Sequence, residues 1–143
     1  MKKKAKVIFY YSTGEKIFIL LGKRVVSSSE EFWWLPGGSV EGGESLLQAV
    51  ARELNEEISL TPALIKGFEK YNEFNHPPSI TYPTDKSEVT VFMVQVNFMD
   101  ETIECKEEFT EMKWFDLTSL PSDMSREFPN IQPYVTNNFF AVL

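Results

Sequence analysis

One cysteine and one histidine in 143 residues leave little material for the chemistry those side chains usually carry. With Cys105 alone, no disulfide can close within the chain and no cysteine-rich zinc site can form; a buried thiol in a reducing compartment is the plain expectation. Positive charge is also scarce. Fourteen lysines and arginines face 21 aspartates and glutamates, giving a formal charge of −7 and a pI near 4.8. That balance argues against holding a nucleic-acid backbone by charge, so no stable nucleic-acid binding is expected. No run approaches the ~20 apolar residues of a membrane-spanning helix. Residues 1–4 are basic and 7–11 apolar, but this run is too short and too aromatic for a secretory signal. A cytoplasmic protein without membrane contact is expected.

What is present suits one domain spanning 1–143: 43% of residues are hydrophobic, 24% charged and 14% aromatic. Strands are expected over 4–11 and 16–21, joined by a turn at Ser12-Thr13-Gly14-Glu15, with 22–31 as a connection carrying three serines. A short aromatic strand at 32–35 is stopped by Pro36-Gly37-Gly38. A helix follows over 44–58 and exits at Thr61-Pro62. Residues 64–74 read as a strand, and 75–86, with three prolines, as a long surface loop of the kind that carries specificity. The alternation over 88–98 is apolar on both faces, which predicts a central strand covered on both sides. A last strand at 112–115, a turn of helix at 123–127 and a closing helix over 129–142 complete the chain.

The stretch from Trp33 to Leu60 concentrates the unusual chemistry. At about 100° per residue, with Glu53 at zero, Glu57 falls near ~40° and Glu56 near ~300°. Three carboxylates thus share roughly one-third of the helix circumference. They border the apolar stripe of Leu47, Val50, Ala51, Leu54 and Ile58. Such a cluster is costly as decoration, because like charges at i,i+4 repel and the helix C-terminus already disfavours negative charge. A hard divalent cation, Mg²⁺ or alternatively Mn²⁺, removes the conflict and brings an anionic ligand to an acidic protein. Arg52, next to Glu56 on the wheel, can orient a carboxylate or touch phosphate. Glu44 points away on a continuous helix and is expected to support the site. The side-chain-free turn at Gly37-Gly38 lets backbone groups approach a metal or phosphate.

Gly38, Glu44, Arg52, Glu53, Leu54, Glu56, Glu57 and Leu60 together resemble the Nudix box, a signature of hydrolases acting on nucleoside diphosphates linked to another moiety. The resemblance is looser beyond 38–60 but takes in Arg24, the Trp33 to Gly38 run, Glu108, Glu111, Trp114 and Phe115. It implies an α/β/α sandwich with a mixed β-sheet and a Mg²⁺-dependent attack of water on a phosphoanhydride. The family pattern expects glycine where this chain has Ser59, which puts the helix ending in question and leaves the ligands untouched.

By position, the resemblance implies that Glu53, Glu56 and Glu57 bind metal with help from the Gly37 or Gly38 backbone, and that Arg52 orients Glu53 or Glu56. The general base remains open among Glu107, Glu108, Glu111 and His76, with Glu108 favoured by its spacing from Trp114. Substrate contacts are expected from Arg24, from Trp34 if it faces a cleft, and from Tyr82 stacking beside the long loop. The expected partner is a small nucleotide-type molecule: a nucleoside triphosphate, dinucleoside polyphosphate, ADP-ribose or nucleotide sugar. Dimers are common among proteins with this signature, although no stretch of this chain identifies an interface. The rival readings are a non-catalytic nucleotide sensor using the same pocket, which the full carboxylate set disfavours, and an RNA-end processing enzyme, which the acidic balance disfavours.

Overall fold

The computed structural model describes residues 1–143 and contains a seven-stranded mixed sheet between two layers of helix. The strands are β1 (Lys2–Ser12), β2 (Ile17–Ser27), β3 (Glu30–Trp34), β4 (Gly37–Ser39), β5 (Ser79–Pro83), β6 (Ser87–Gln95) and β7 (Phe109–Asp116). Three helices, α1 (Leu46–Glu57), α2 (Pro62–Tyr71) and α3 (Phe128–Gln132), complete the regular structure before two short helical turns close the chain. The main path runs β3-β2-β1-β6-β5, with β4 joined to β1 and β7 to β2. Only β1 and β6 pair in parallel. β1 meets β2 over just three residue pairs, Tyr10 with Ile19 to Ser12 with Ile17. Nearer its start β1 turns instead to β4, placing Lys6 opposite Gly37 and Lys4 opposite Ser39.

Period-2 alternation in β1 explains the two cores. Ala5, Val7 and Phe9 pack under α1 and α2 with Val50, Leu54 and Leu64. Ile8 and Tyr10 face the other way, towards Ile131, Val135 and Phe139 of the closing segment. The central strand β6 does the same, with Phe92 and Val94 on one face and Val91 and Met93 on the other. The α/β/α arrangement and the doubly covered central strand are as the sequence predicts.

Five elements differ from expectation. Residues 22–31 are mostly strand: β2 continues to Ser27, and β3 starts at Glu30 after a tight turn. The expected strand at 64–74 is a helix. Thr61 and Pro62 begin it instead of marking an exit: the Thr61 side chain accepts from Leu64 N–H, and Pro62 occupies the first turn, where its missing N–H costs nothing. Leu64, Gly67 and Tyr71 then bury one helical face. The expected loop at 75–86 contains β5, an edge strand whose Ile80 and Tyr82 point inward. Proline is tolerated at its end because an edge strand needs no N–H on its outer side. Finally, residues 123–127 form no helix. The closing helix is also interrupted: α3 ends where Pro133 opens a π-type turn (Pro133–Asn137), followed by a 3₁₀ turn (Phe139–Val142).

Candidate active site

Helix α1 is fixed at its start by a capping box: Ser45 accepts from Gln48 N–H at 3.1 Å, and the Gln48 side chain accepts from Ser45 N–H at 2.8 Å. Ala49, Val50 and Leu54 anchor it to the sheet. Its acidic edge then falls against β4, where the chain has no side chains to obstruct it. A Cβ added at Gly38 would lie 2.5 Å from Glu53 Cδ and 2.7 Å from both carboxylate oxygens. Gly37 has φ +133°, and a Cβ there would enter the Ala5 carbonyl and the Lys6 backbone. The Gly-Gly pair is therefore needed for this close approach.

Arg52 is the hub. Its Nε donates to Glu44 Oε2 at 2.8 Å and its Nη2 to Glu44 Oε1 at 3.1 Å, a two-pronged bond with fork geometry. Nη2 also donates to the Ser39 carbonyl at 2.9 Å. Nη1 donates to Glu53 Oε1 at 3.0 Å and to Glu56 Oε1 at 3.4 Å. These bonds tie the helix to β4 and to the preceding loop, and they aim two carboxylates. The side-chain bonds from Arg52, and then the Glu41 N–H, hold the Glu44 carboxyl below the usual carboxylate range. Glu44 precedes the helix, so the wheel did not govern its direction; it supports the site by gripping Arg52.

Glu57 has the opposite environment. It is 2% exposed, and its Oε1 accepts from Gly37 N–H at 2.8 Å. Burial pushes its carboxyl up to about 7; the Gly37 bond and the Lys6 ammonium oppose the rise, and the charges of Glu53 and Glu108 add to it. Lys6, which the sequence reading passed over, is itself buried on the neighbouring β1 position. Burial drives its ammonium down from the ordinary value, against the pull of Glu57 and Glu127. Its signal was available: Lys6 shares the inward face of Ile8 and Tyr10 in an alternating strand.

Arg24, on β2, pairs with Glu108 at 3.3 Å, and both side chains are partly exposed. The charge of Glu108 acts on Glu57 of the acidic helix, whereas His76 lines a different cavity. Trp34 and Tyr82 are not at a cleft surface. Both are buried on the α3 side of the sheet, 3% and 5% exposed. Both tryptophans, Trp33 and Trp34, belong to that core, and residues 123–125 run along the edge of β3, with Trp33 N–H donating to the Asp123 carbonyl and Ser125 N–H to the Trp33 carbonyl. Trp34 Nε1 finds no hydrogen-bond partner there, and the Tyr82 hydroxyl donates to Glu127 Oε1 at 2.9 Å. Glu127 in turn lines a cavity of about 670 Å³ between β3, the β5–β6 turn and residues 123–127, with Lys4, Phe32, Lys86 and Arg126 on its walls. The charges of Glu57, on the acidic helix, and of Glu127, at this cavity, both act on the buried Lys6 between them along β1.

No three acidic, histidine or cysteine side chains converge as a ready-made metal cluster. Arg52 holds Glu53 and Glu56, and Gly37 holds Glu57. The donor chemistry nevertheless fits a hard divalent cation. All three are carboxylates on one edge of α1, the Gly38 position leaves Glu53 room that any Cβ would fill, and the buried Glu57 carboxyl lacks a full counter-charge.

A sequence model of the NUDIX domain matches residues 1–138. An RNA pyrophosphohydrolase of Pelagibacter ubique is 32% identical over 114 residues, covering 73% of this chain and 70% of that protein. An ADP-ribose pyrophosphatase of Methanocaldococcus jannaschii is 29% identical over 103 residues, 72% of this chain but 57% of that one. Among solved structures, an Ap4A hydrolase of C. elegans superposes with a TM-score of 0.66 at 22% identity, covering 99% of this chain and 96% of the other, which is a likeness of fold.

Proposed function

The chain belongs to the NUDIX domain family and is a hydrolase of pyrophosphate bonds, and on that footing we propose that its substrate is a nucleoside diphosphate linked to another moiety, cleaved by one cytoplasmic hydrolase domain with Mg²⁺ or Mn²⁺. Family members generally use divalent ions. The observation that carries the proposal is the acidic edge of α1 pressed against Gly37–Ser39, with Arg52 aiming Glu53 and Glu56 and with Glu57 sunk beneath the Gly37 N–H.

Glu53, Glu56 and Glu57 hold the cation in this reading, with the backbone at Gly38 alongside. When bound, the cation supplies neutralisation of phosphate charge and a more acidic water. Arg52 and Glu44 keep the carboxylates aimed. Glu108 takes the proton from the attacking water, and Arg24 holds Glu108 in place and offers its guanidinium to phosphate. The rest of the substrate occupies the cavity bordered by Phe32 and Glu127, where Tyr82 acts from behind by bracing Glu127.

The similarity to an RNA pyrophosphohydrolase supports a second reading, in which RNA carries the pyrophosphate. The cavity favours the small nucleotide. Its walls hold five acids, Glu30, Glu31, Asp85, Asp123 and Glu127, against three bases, Lys4, Lys86 and Arg126, and a polyanion gains little from such a surface. The deciding experiment offers ADP-ribose, nucleoside triphosphates, dinucleoside tetraphosphate and a 5′-triphosphorylated oligoribonucleotide with Mg²⁺, and resolves products by chromatography. Faster turnover of one of the small nucleotides than of the oligoribonucleotide is expected. Turnover of the oligoribonucleotide alone would transfer the assignment to RNA, and no turnover of any compound would contradict hydrolysis.

A further inference from the structure

At the far end of β1 lies a second cavity, of about 840 Å³, that the hydrolytic chemistry leaves unused. Tyr10, Tyr11 and Ser12 line it, and Lys6 lies four or more positions back along the strand. At ~3.3 Å per residue this cavity is roughly 15 Å from the acidic helix edge. Helix α2 forms one wall. Gly67 lets it close against β6, where a Cβ would come 2.7 Å from the Gln95 carbonyl.

The lining differs from the rest of the molecule. In a chain with 21 acids, no aspartate or glutamate side chain faces this cavity. Lys66 and Lys70, one turn apart on α2, both line it. The ion pairs of the chain engage Lys16, Lys23, Arg24, Arg52 and Arg126, and leave both of these ammonium groups free. Aromatic surface stands ready beside them: Phe74 and Phe140 are 55% and 64% exposed, and Tyr71 meets Phe74 edge-on at 6.3 Å. Of the three buried tyrosines, Tyr71 donates to the Pro78 carbonyl and Tyr82 to Glu127, whereas the Tyr10 hydroxyl, at this cavity, has no partner in the chain. Gln95 and Asn97 add exposed amides at the rim.

We infer that this cavity is a binding site for a nucleoside monophosphate, separate from the hydrolytic centre. The phosphate pairs with Lys66 and Lys70, the base stacks on Phe74 or Phe140, and the rim amides with the Tyr10 hydroxyl meet polar edges of base or sugar. Free ammonium groups beside exposed rings select an aromatic anion over a neutral aromatic compound or a bare anion. The volume lies within the ~300–1,000 Å³ range of small-molecule pockets.

The test is calorimetric titration of the whole chain with AMP, GMP, CMP and UMP in EDTA, which withholds any cation from the acidic helix. At least one monophosphate is expected to bind with unit stoichiometry, and its parent nucleoside at least tenfold more weakly. The double variant Lys66→Ala/Lys70→Ala should weaken binding at least tenfold, Phe74→Ala should weaken it too, and Lys66→Arg/Lys70→Arg should preserve it. Thermal melts check that each variant is folded, and the arginine pair keeps the test valid if the alanine pair is not. Absence of binding by all four monophosphates at millimolar concentration would overturn the site. So would binding that the alanine pair leaves intact, or displacement by inorganic phosphate at equal concentration. None of these outcomes depends on whether the chain hydrolyses pyrophosphate bonds.

Discussion

At one end of β1, buried Lys6, buried Glu57 and the Arg52 hub gather charge into a tight, internally bonded site; at the other, Lys66 and Lys70 stand free among exposed rings. The net charge of −7 hides this division. The acidic end spends its bonds on aiming groups at one another. The basic end has groups with nothing to bond. A mature-looking network with an uncompensated carboxyl points to a cation as its missing member, and an unpaired basic pocket points to an anion.

The largest expected effect separates the two ends cleanly. Glu57→Gln should lower turnover by several orders of magnitude while monophosphate binding in EDTA stays unchanged, and loss of both would merge the two sites into one. Gly37→Ala comes next. Its backbone strain alone costs about 1–3 kcal/mol, and the added clash with Ala5 and Lys6 should lower the urea midpoint further and remove activity. Arg52→Lys keeps the charge but loses the two-pronged grip on Glu44; activity should fall roughly 10–100-fold, with the half-saturating cation concentration rising.

Acidity gives a subtler readout. Because the folded-state Glu57 carboxyl is raised to about 7, its favourable contribution is complete below the ordinary carboxylate range and is lost as pH rises through about 7. Cation-free protein should therefore lose stability between about pH 4.5 and 7, and Glu57→Gln should flatten that slope in urea unfolding. Cation affinity should rise over the same window, since the cation needs the ionised carboxyl. The smallest effect belongs to the scaffold: Ser45→Ala removes one cap and should cost about 1 kcal/mol, with little change in monophosphate binding.

The acidic helix was legible because its periodicity and its apolar stripe agree, although its Ser45 cap and its start at Leu46 were not read. The double cover of the central strand was legible because residues 88–98 are apolar on both faces, and the sandwich itself followed from the family resemblance. What escaped depended on partners far along the chain. Glu44 was judged on a helical wheel although it lies in the loop before Ser45, and its direction is set by Arg52. Thr61-Pro62 serves equally well as an exit or an entrance, and only the burial of Leu64, Gly67 and Tyr71 against the sheet decides for a helix. β5 was hidden among prolines, because an edge strand tolerates what a central one does not. Tyr82 and Trp34 were assigned to a surface that their packing against the α3 layer denies them.

The most direct test of the central claim is cation binding itself, followed by calorimetry with Mg²⁺ and Mn²⁺ on the intact chain and on Glu57→Gln at pH 8. Saturable binding that the variant loses is the result expected from the carboxylate edge of α1. Equal affinity in both proteins, or no binding in either alongside undiminished hydrolysis in EDTA, would contradict it.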